Sequence, residues 1–164
     1  MEIAQPYLEQ MVNQLSMLDE EEQLKPRNLY LYQPAHAEWD VRFGGKAGAK
    51  DIARLFRKAR EHLAAEGVTD GYYMMALADT LENMDIQLYE HYRVLADLLL
   101  EAAQKALPSD DVRVLYAVMK GVRLGLLDPE KYLPAAMRGF ERARVLPQDI
   151  DYYRLAQDEY GRIG

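Results

Sequence analysis

The chain has 164 residues, 49% of them hydrophobic and 29% charged, a balance typical of one globular domain with a sizeable core. It has no cysteine, which excludes a disulfide framework, a thiolate zinc site and a cysteine nucleophile. Its formal net charge of −7 opposes binding to a phosphate backbone, so we expect no nucleic-acid partner.

The N-terminal residues do not resemble a secretory leader. Glu2 stands where a leader carries a basic residue, and no apolar stretch follows it. The longest apolar runs, such as residues 98–100, fall far short of the ~20 residues that span a bilayer. We therefore expect a cytoplasmic protein that has no membrane partner.

The first third of the chain combines one clear helical pattern with an irregular segment. Residues 3–18 show the spacing of an amphipathic helix, with inward positions at Leu8, Met11, Val12, Leu15 and Leu18. Residues 29–32 are followed at once by Pro34, so we predict an ordered loop there. Residues 33–48 contain three glycines and are predicted to be the least regular part of the chain. A second helix is predicted over 49–65, ending near Gly67.

Three further amphipathic helices are predicted over 71–83, 86–107 and 112–126. The inward positions of the second are spaced alternately by four and three residues: Leu88, Tyr92, Leu95, Leu99, Ala102 and Ala106. Only a helix brings such positions onto one face. We predict that Thr69 or Asp70 caps the first helix, Asp85 the second and Ser109 the third. Short connections then force antiparallel neighbours.

Two helices complete the pattern. Asp128, Pro129 and Glu130 form a helix start signal, and Pro147 is predicted to close that helix. The last helix, over 148–162, is predicted to turn inward the residues Ile150, Tyr153, Ala156 and Tyr160. About seven helices and no strand predict an all-α fold of serial antiparallel α-hairpins, a partial α/α toroid or solenoid, in one domain over residues 1–164.

Several segments, taken in order, resemble the unsaturated glucuronyl and galacturonyl hydrolases of glycoside hydrolase families 88 and 105. They are AQPYL (4–8), EWDVRFGGK (38–46), GYYMMALAD (71–79), LYEHY (88–92) and YAVMKGVRLG (116–125). The resemblance implies a toroid of α-hairpins, an (α/α)6 barrel in the full-length enzymes. These enzymes hydrate the vinyl ether of a 4,5-unsaturated uronic acid and so release it from an oligosaccharide.

The chain departs from this family where the chemistry resides. The family's acid/base aspartate precedes the segment matched here by residues 4–8, and residues 1–3 contain no counterpart. The family's substrate loops are also shortened, to residues 66–70 and 108–111 here. Packing helices are retained and active-site loops are reduced, a pattern that favours a non-catalytic helical scaffold.

Asp40 and Asp70 are the candidate acid/base residues if the chain is a hydrolase instead. Both stand beside aromatic residues that could desolvate a carboxyl group and stack on a sugar ring. The corresponding substrate-binding candidates are Trp39, Arg42, Tyr72 and Tyr73. Each acid also has a purely structural interpretation, because Asp70 suits a helix N-cap and Asp40 suits a pair with Arg42 or a turn cap.

Three interpretations of function remain open. The first is the non-catalytic scaffold, and the second is a glycoside hydrolase that acts on unsaturated uronides. The third is a tetratricopeptide-like module that binds a peptide, suggested by Ala136, Phe140, Ala143 and Pro147. The three histidines lack metal-ligand spacing, so we expect no metal and no cofactor. A partial toroid leaves apolar helix faces uncovered, which predicts a homo-oligomer.

Overall fold

The computed structural model describes residues 4–67 and 69–163, and within them the chain forms α-helices and no strand. The helices of these residues are α1 (Gln5–Ser16), α2 (Glu20–Gln23), α3 (Pro26–Arg42), α4 (Ala49–Glu66), α5 (Gly71–Asn83), α6 (Tyr89–Ala106), α7 (Val112–Arg123), α8 (Pro129–Arg142) and α9 (Ile150–Ile163). One 3-10 turn, Pro147–Asp149, precedes α9. The predicted all-α class is confirmed, with nine helices in the described residues where about seven were predicted.

The loop predicted over residues 29–32 is wrong, and so is most of the irregular segment predicted over 33–48, because α3 runs from Pro26 to Arg42. Pro26 lies in the first turn, where a missing N–H costs nothing. Pro34 lies inside the helix, at a typical cost of about 3 kcal/mol. Packing offsets that cost, since α3 lies between α1 and α5 and buries Leu29 and Ala37 completely.

The helices form two layers. Along the first, which we call the inner layer, α1 contacts α3, α3 contacts α5, α5 contacts α7 and α7 contacts α9. The second, or outer, layer contains α4, α6 and α8, which pack against α3, α5 and α7 respectively, and α4 also contacts α6. From α3 onward, successive helices therefore alternate between the two layers, as the predicted serial hairpins require.

The main core lies between the two layers. The largest fully buried side chains include Phe56 and Ile52 from α4, Leu77 from α5, Leu99 from α6 and Leu115 from α7. A separate small cluster joins α1 to α3 through Leu8, Met11 and Ala35. The apolar stripes read from the sequence of α5, α6 and α7 thus face the opposite layer, where burial stabilises the two-layer packing.

Helix ends test the predicted caps. Asp70 and Asp128 cap α5 and α8 as predicted. Asp70 accepts two backbone N–H groups of the first turn, and Asp128 accepts one. The caps predicted at Ser109 and Asp85 are wrong, because Asp111 caps α7, and Asp85 only bonds Gln87 N–H in the turn before α6. The stop predicted at Pro147 is also wrong, because α8 already ends at Arg142.

The final helix also differs from its prediction. The inward position predicted for Ile150 is wrong, since that residue is 44% exposed at the start of α9, whereas Ala156 is fully buried as predicted. The predicted start of the first helix at residue 3 lies outside the described residues. No helix in the described parts of the chain combines the length and apolar composition that crossing a bilayer requires.

Candidate functional site

Three tyrosines from three inner-layer helices meet. The Tyr72 ring of α5 lies 6.3 Å from the Tyr30 ring of α3 and 5.5 Å from the Tyr152 ring of α9, centroid to centroid. Tyr30 and Tyr152 are themselves 6.3 Å apart. Side chains of α3 and α9 therefore touch, although α5 and α7 lie between these helices in the order of the inner layer. The inner layer is therefore strongly curved. We call these three residues the tyrosine cluster.

An arginine from another inner-layer helix, α7, lies over the tyrosine cluster. The guanidinium carbon of Arg113, on α7, lies 4.9 Å from the Tyr72 ring centroid and 5.5 Å from that of Tyr152. The same guanidinium lies 3.2 Å from Asp111 and 3.3 Å from Asp149. Two carboxylates thus hold Arg113 over the rings, in the geometry that favours cation–π attraction.

A second group of polar side chains lies between α5 and α7. Asp79 of α5 accepts hydrogen bonds from the Tyr116 hydroxyl at 2.5 Å and from the Lys120 ammonium at 2.6 Å, both on α7. The Lys120 ammonium also donates to the Tyr116 hydroxyl at 3.0 Å. These three residues form a closed triangle between α5 and α7.

The triangle continues into a set of ion pairs that reaches α9. Glu82 of α5 lies 3.0 Å from Lys120 and 2.9 Å from Arg123. Arg123 in turn binds Glu159 of α9 through two nitrogens, at 2.8 and 2.9 Å. Together Asp79, Glu82, Tyr116, Lys120, Arg123 and Glu159 form what we call the ion-pair network. It links three helices that are consecutive in the inner layer.

The electrostatics of these groups oppose acid/base exchange near neutral pH. Burial opposes the ionisation of Glu82, but hydrogen bonds from Arg123 and Lys120 outweigh it and lower its pKa. Burial raises the pKa of Tyr30 to about 12, and burial together with Asp79 raises the pKa of Tyr116. A general acid needs a carboxyl whose pKa is raised toward the working pH. Here Glu82 stays ionised and both hydroxyls stay protonated.

The predicted acid Asp40 is buried at the end of α3, with 3% of its surface exposed. Its carboxylate accepts the Gly48 N–H at 2.7 Å and so closes the turn that joins α3 to α4. The Gly44 Cα, where a side chain would begin, faces the same carboxylate and the Trp39 ring. Asp40 therefore caps a turn, one of the two structural roles that the sequence suggested for it.

The predicted acid Asp70 is the N-cap of α5. Its carboxylate accepts the N–H groups of Tyr72 and Tyr73 at 2.8 and 3.2 Å. Two of the N–H groups that helix geometry leaves without partners are thereby satisfied.

Asp40 and Asp70 lie at opposite ends of neighbouring helices. Tyr30 meets Tyr72 near the starts of α3 and α5, and Pro34 accepts a hydrogen bond from Asn83 near the end of α5, so the two helices run in the same direction. Asp40 follows Tyr30 by ten residues, about 15 Å along the helix axis. The structure does not bring the two predicted acids together.

The predicted substrate-binding residues are also dispersed. Trp39 packs against the small cluster between α1 and α3, and Arg42 pairs with Glu38. Tyr73 points into the core, where its ring lies 6.2 Å from that of Phe56. Of these residues, Tyr72 alone belongs to the tyrosine cluster.

The ion-pair network was missed at the level of sequence, although α7 carries a signal for it. Its apolar stripe is interrupted by polar side chains every three or four residues: Arg113, Tyr116, Lys120 and Arg123. These polar residues form a second stripe along the helix. Because α7 is buried on nearly all sides, such a polar stripe indicates a polar contact in the interior. The matching acids on α5, Asp79 and Glu82, are three residues apart.

Comparison with known proteins gives no family assignment: no family model, no curated protein and no solved structure matches the chain. Within residues 4–67 and 69–163, no group of three histidine or carboxylate side chains is arranged to hold a metal ion.

Proposed function

We propose that the chain is a non-catalytic helical scaffold domain, related in architecture to the α/α toroid of the unsaturated uronyl glycoside hydrolases. The observation that carries this proposal is the ion-pair network. Asp79, Glu82 and Glu159 each contact a cation on α7, and together these contacts fix the relative positions of α5, α7 and α9. Contacts of this kind support the positions of the helices.

The tyrosine cluster supports the same proposal. In a toroid the inner helices surround a central opening, and in this chain three inner-layer helices are joined by Tyr30, Tyr72 and Tyr152, which pack on one another. Aromatic rings in mutual contact contribute roughly 0.5–1.5 kcal/mol per pair beyond their burial. Their positions thus favour a role in joining α3, α5 and α9.

The alternative is a hydrolase of unsaturated uronides that uses Asp40 or Asp70. Against it stand the two contacts already described, since Asp40 holds Gly48 and Asp70 caps α5. Removing either carboxylate would disturb local structure whatever the activity. For this reason the test must separate turnover from folding.

The test is an assay with an unsaturated uronic-acid disaccharide, following the ultraviolet absorbance of its 4,5 double bond. A scaffold leaves the absorbance unchanged, whereas a hydrolase lowers it at a rate proportional to the enzyme concentration. Turnover by the wild-type chain that is lost in Asp40→Asn or Asp70→Asn, with circular dichroism unchanged, would overturn the proposal. Asp128→Asn is the matched control, because Asp128 caps α8 as Asp70 caps α5.

A further inference from the structure

A cleft opens on the outer layer between α6 and α8, away from the tyrosine cluster. It has a volume of about 470 Å³, within the range of ligand-binding clefts. One wall is formed by Ala103 and Leu107 at the end of α6 and by Pro108 after it, and the other by Lys131, Ala135 and Arg138 of α8. Gln104 and Tyr132 complete the lining, so most of the side chains that line the cleft are apolar.

The charges of the cleft are of one sign. Lys131 and Arg138 line it and no carboxylate does, in a chain whose formal net charge is −7. Within the described residues, neither cation makes an ion pair, and Lys131 contacts only the ring of its neighbour Tyr132. Most other lysines and arginines on the outer layer are paired, as Lys58 is with Glu20 and Arg60 with Glu101. The cleft therefore presents two unneutralised cations beside apolar surface.

The spacing of these residues selects the shape of a partner. Lys131, Ala135 and Arg138 follow the i, i+4, i+7 spacing of one helix face, so the two cations stand about 10 Å apart with an alanine between them. A helix lying along the cleft matches this arrangement when it carries acids at positions i and i+7 and apolar residues at i+3 and i+4. Amphipathic helices dock into grooves with this set of anchors.

We propose that the α6–α8 cleft is a docking site for an acidic amphipathic helix of a partner protein. The apolar residues of that helix pack against Leu107, Pro108 and Ala135, which are at least partly exposed, and its two acids pair with Lys131 and Arg138. Charge complementarity supports this occupant, since a basic or purely apolar helix would leave both cations without partners.

The test uses the full chain and a fluorescein-labelled, capped helical peptide roughly 15 residues long, a length at which an isolated helix begins to be populated. The peptide carries Glu at i and i+7 and Leu at i+3 and i+4. Fluorescence anisotropy is expected to show saturable binding that weakens as salt is added. A peptide with Lys in place of both Glu residues is expected not to bind.

Variants locate the site. Lys131→Glu combined with Arg138→Glu is expected to weaken binding at least tenfold, the effect of about 1.4 kcal/mol. The matched control is Lys50→Glu combined with Arg57→Glu, since these cations have the same i, i+7 spacing and line a groove of about 480 Å³ between α4 and α6. That groove also contains Asp51 and Glu90, and the control is expected to change binding less than twofold.

Ala135→Trp tests the apolar contact between the peptide and the cleft. The indole ring occupies space in the cleft between Lys131 and Arg138, so this variant is expected to weaken binding. Circular dichroism establishes that each variant is folded. The proposal is overturned if the wild-type chain does not bind the acidic peptide, if both double variants weaken binding equally, or if the Lys-substituted peptide binds as well.

Discussion

The ammonium of Lys120 lies 2.6 Å from the carboxylate of Asp79, and the two residues are 41 positions apart in the chain. The lysine side chain is only 6% exposed, so its charge has little access to water. A buried charge is tolerated when it is paired and hydrogen-bonded. Lys120 meets this condition through Asp79, Glu82 and the Tyr116 hydroxyl.

Replacing Lys120 by methionine is therefore expected to lower the free energy of unfolding. The change leaves Asp79 and Glu82 without their shared cation, and we expect a loss of about 2–3 kcal/mol, below the usual cost of breaking a buried pair because Tyr116 and Arg123 remain. Urea unfolding measures it. Lys58→Met is the matched control, since Lys58 pairs with Glu20 at an exposed site and should cost less than about 1 kcal/mol. Equal losses would contradict the structural role of Lys120.

Gly139 allows α8 to approach the loop that follows α6. A Cβ built at this position would collide with the backbone carbonyl of Ser109, which cannot move aside as a flexible side chain does. Gly139→Ala is expected to destabilise the chain by roughly 1–3 kcal/mol, the cost of overpacking. A thermal melt with an unchanged or raised midpoint would contradict this contact.

Gly161→Ala is the control for Gly139→Ala. This glycine lies in α9, and open space surrounds the position of its missing Cβ. Alanine favours a helix over glycine by about 0.8–1 kcal/mol, so this variant is expected to be more stable than the wild type. A loss of stability in Gly139→Ala together with a gain in Gly161→Ala separates the effect of the Ser109 contact from that of helix propensity.

Because His36 is largely buried, we expect the folded chain to lose stability on mild acidification. Burial lowers its pKa below the ordinary 6.5, against the opposing influence of Asp40 and Asp51. The unfolded chain therefore binds more protons than the folded one as the pH falls from 6.5 through the folded pKa, and stability declines across that window. Above pH 6.5 the contribution is complete.

The measurement is urea unfolding at pH 7.5 and pH 5.5 for the wild type and for His36→Gln. The variant is expected to lose less stability between the two pH values than the wild type does. His62→Gln, which removes an exposed imidazole, should behave like the wild type. An identical pH response in the wild type and His36→Gln would show that His36 carries none of the effect.

Local pattern was sufficient for the fold wherever apolar periodicity and capping agreed. The bounds of α5 and the starts of α7 and α8 were predicted closely. Asp70 and Asp128 cap where capping chemistry places them, and the buried positions of α7 recur at helical spacing, but α7 and α8 end earlier than predicted, at Arg123 and Arg142. α3 could not be predicted in this way. Its helix contains Pro34 and depends on contacts with α1 and α5, which are separated from it along the chain.

The candidate site was the least predictable part. The sequence drew attention to acids that stand beside aromatic residues, Asp40 and Asp70, and both have local structural partners. The network forms instead between residues about 40 positions apart, such as Asp79 and Lys120, and such pairing follows from how the helices pack. A polar stripe within a buried helix was the available signal.

The most direct test of the account is a double-mutant cycle on Asp79 and Lys120, with the free energy of unfolding measured for the wild type, Asp79→Asn, Lys120→Met and the double variant. If the pair joins α5 to α7, the double variant loses less than the sum of the single losses, by roughly 1–3 kcal/mol. Losses that simply add would contradict the account, because the two side chains would then contribute independently.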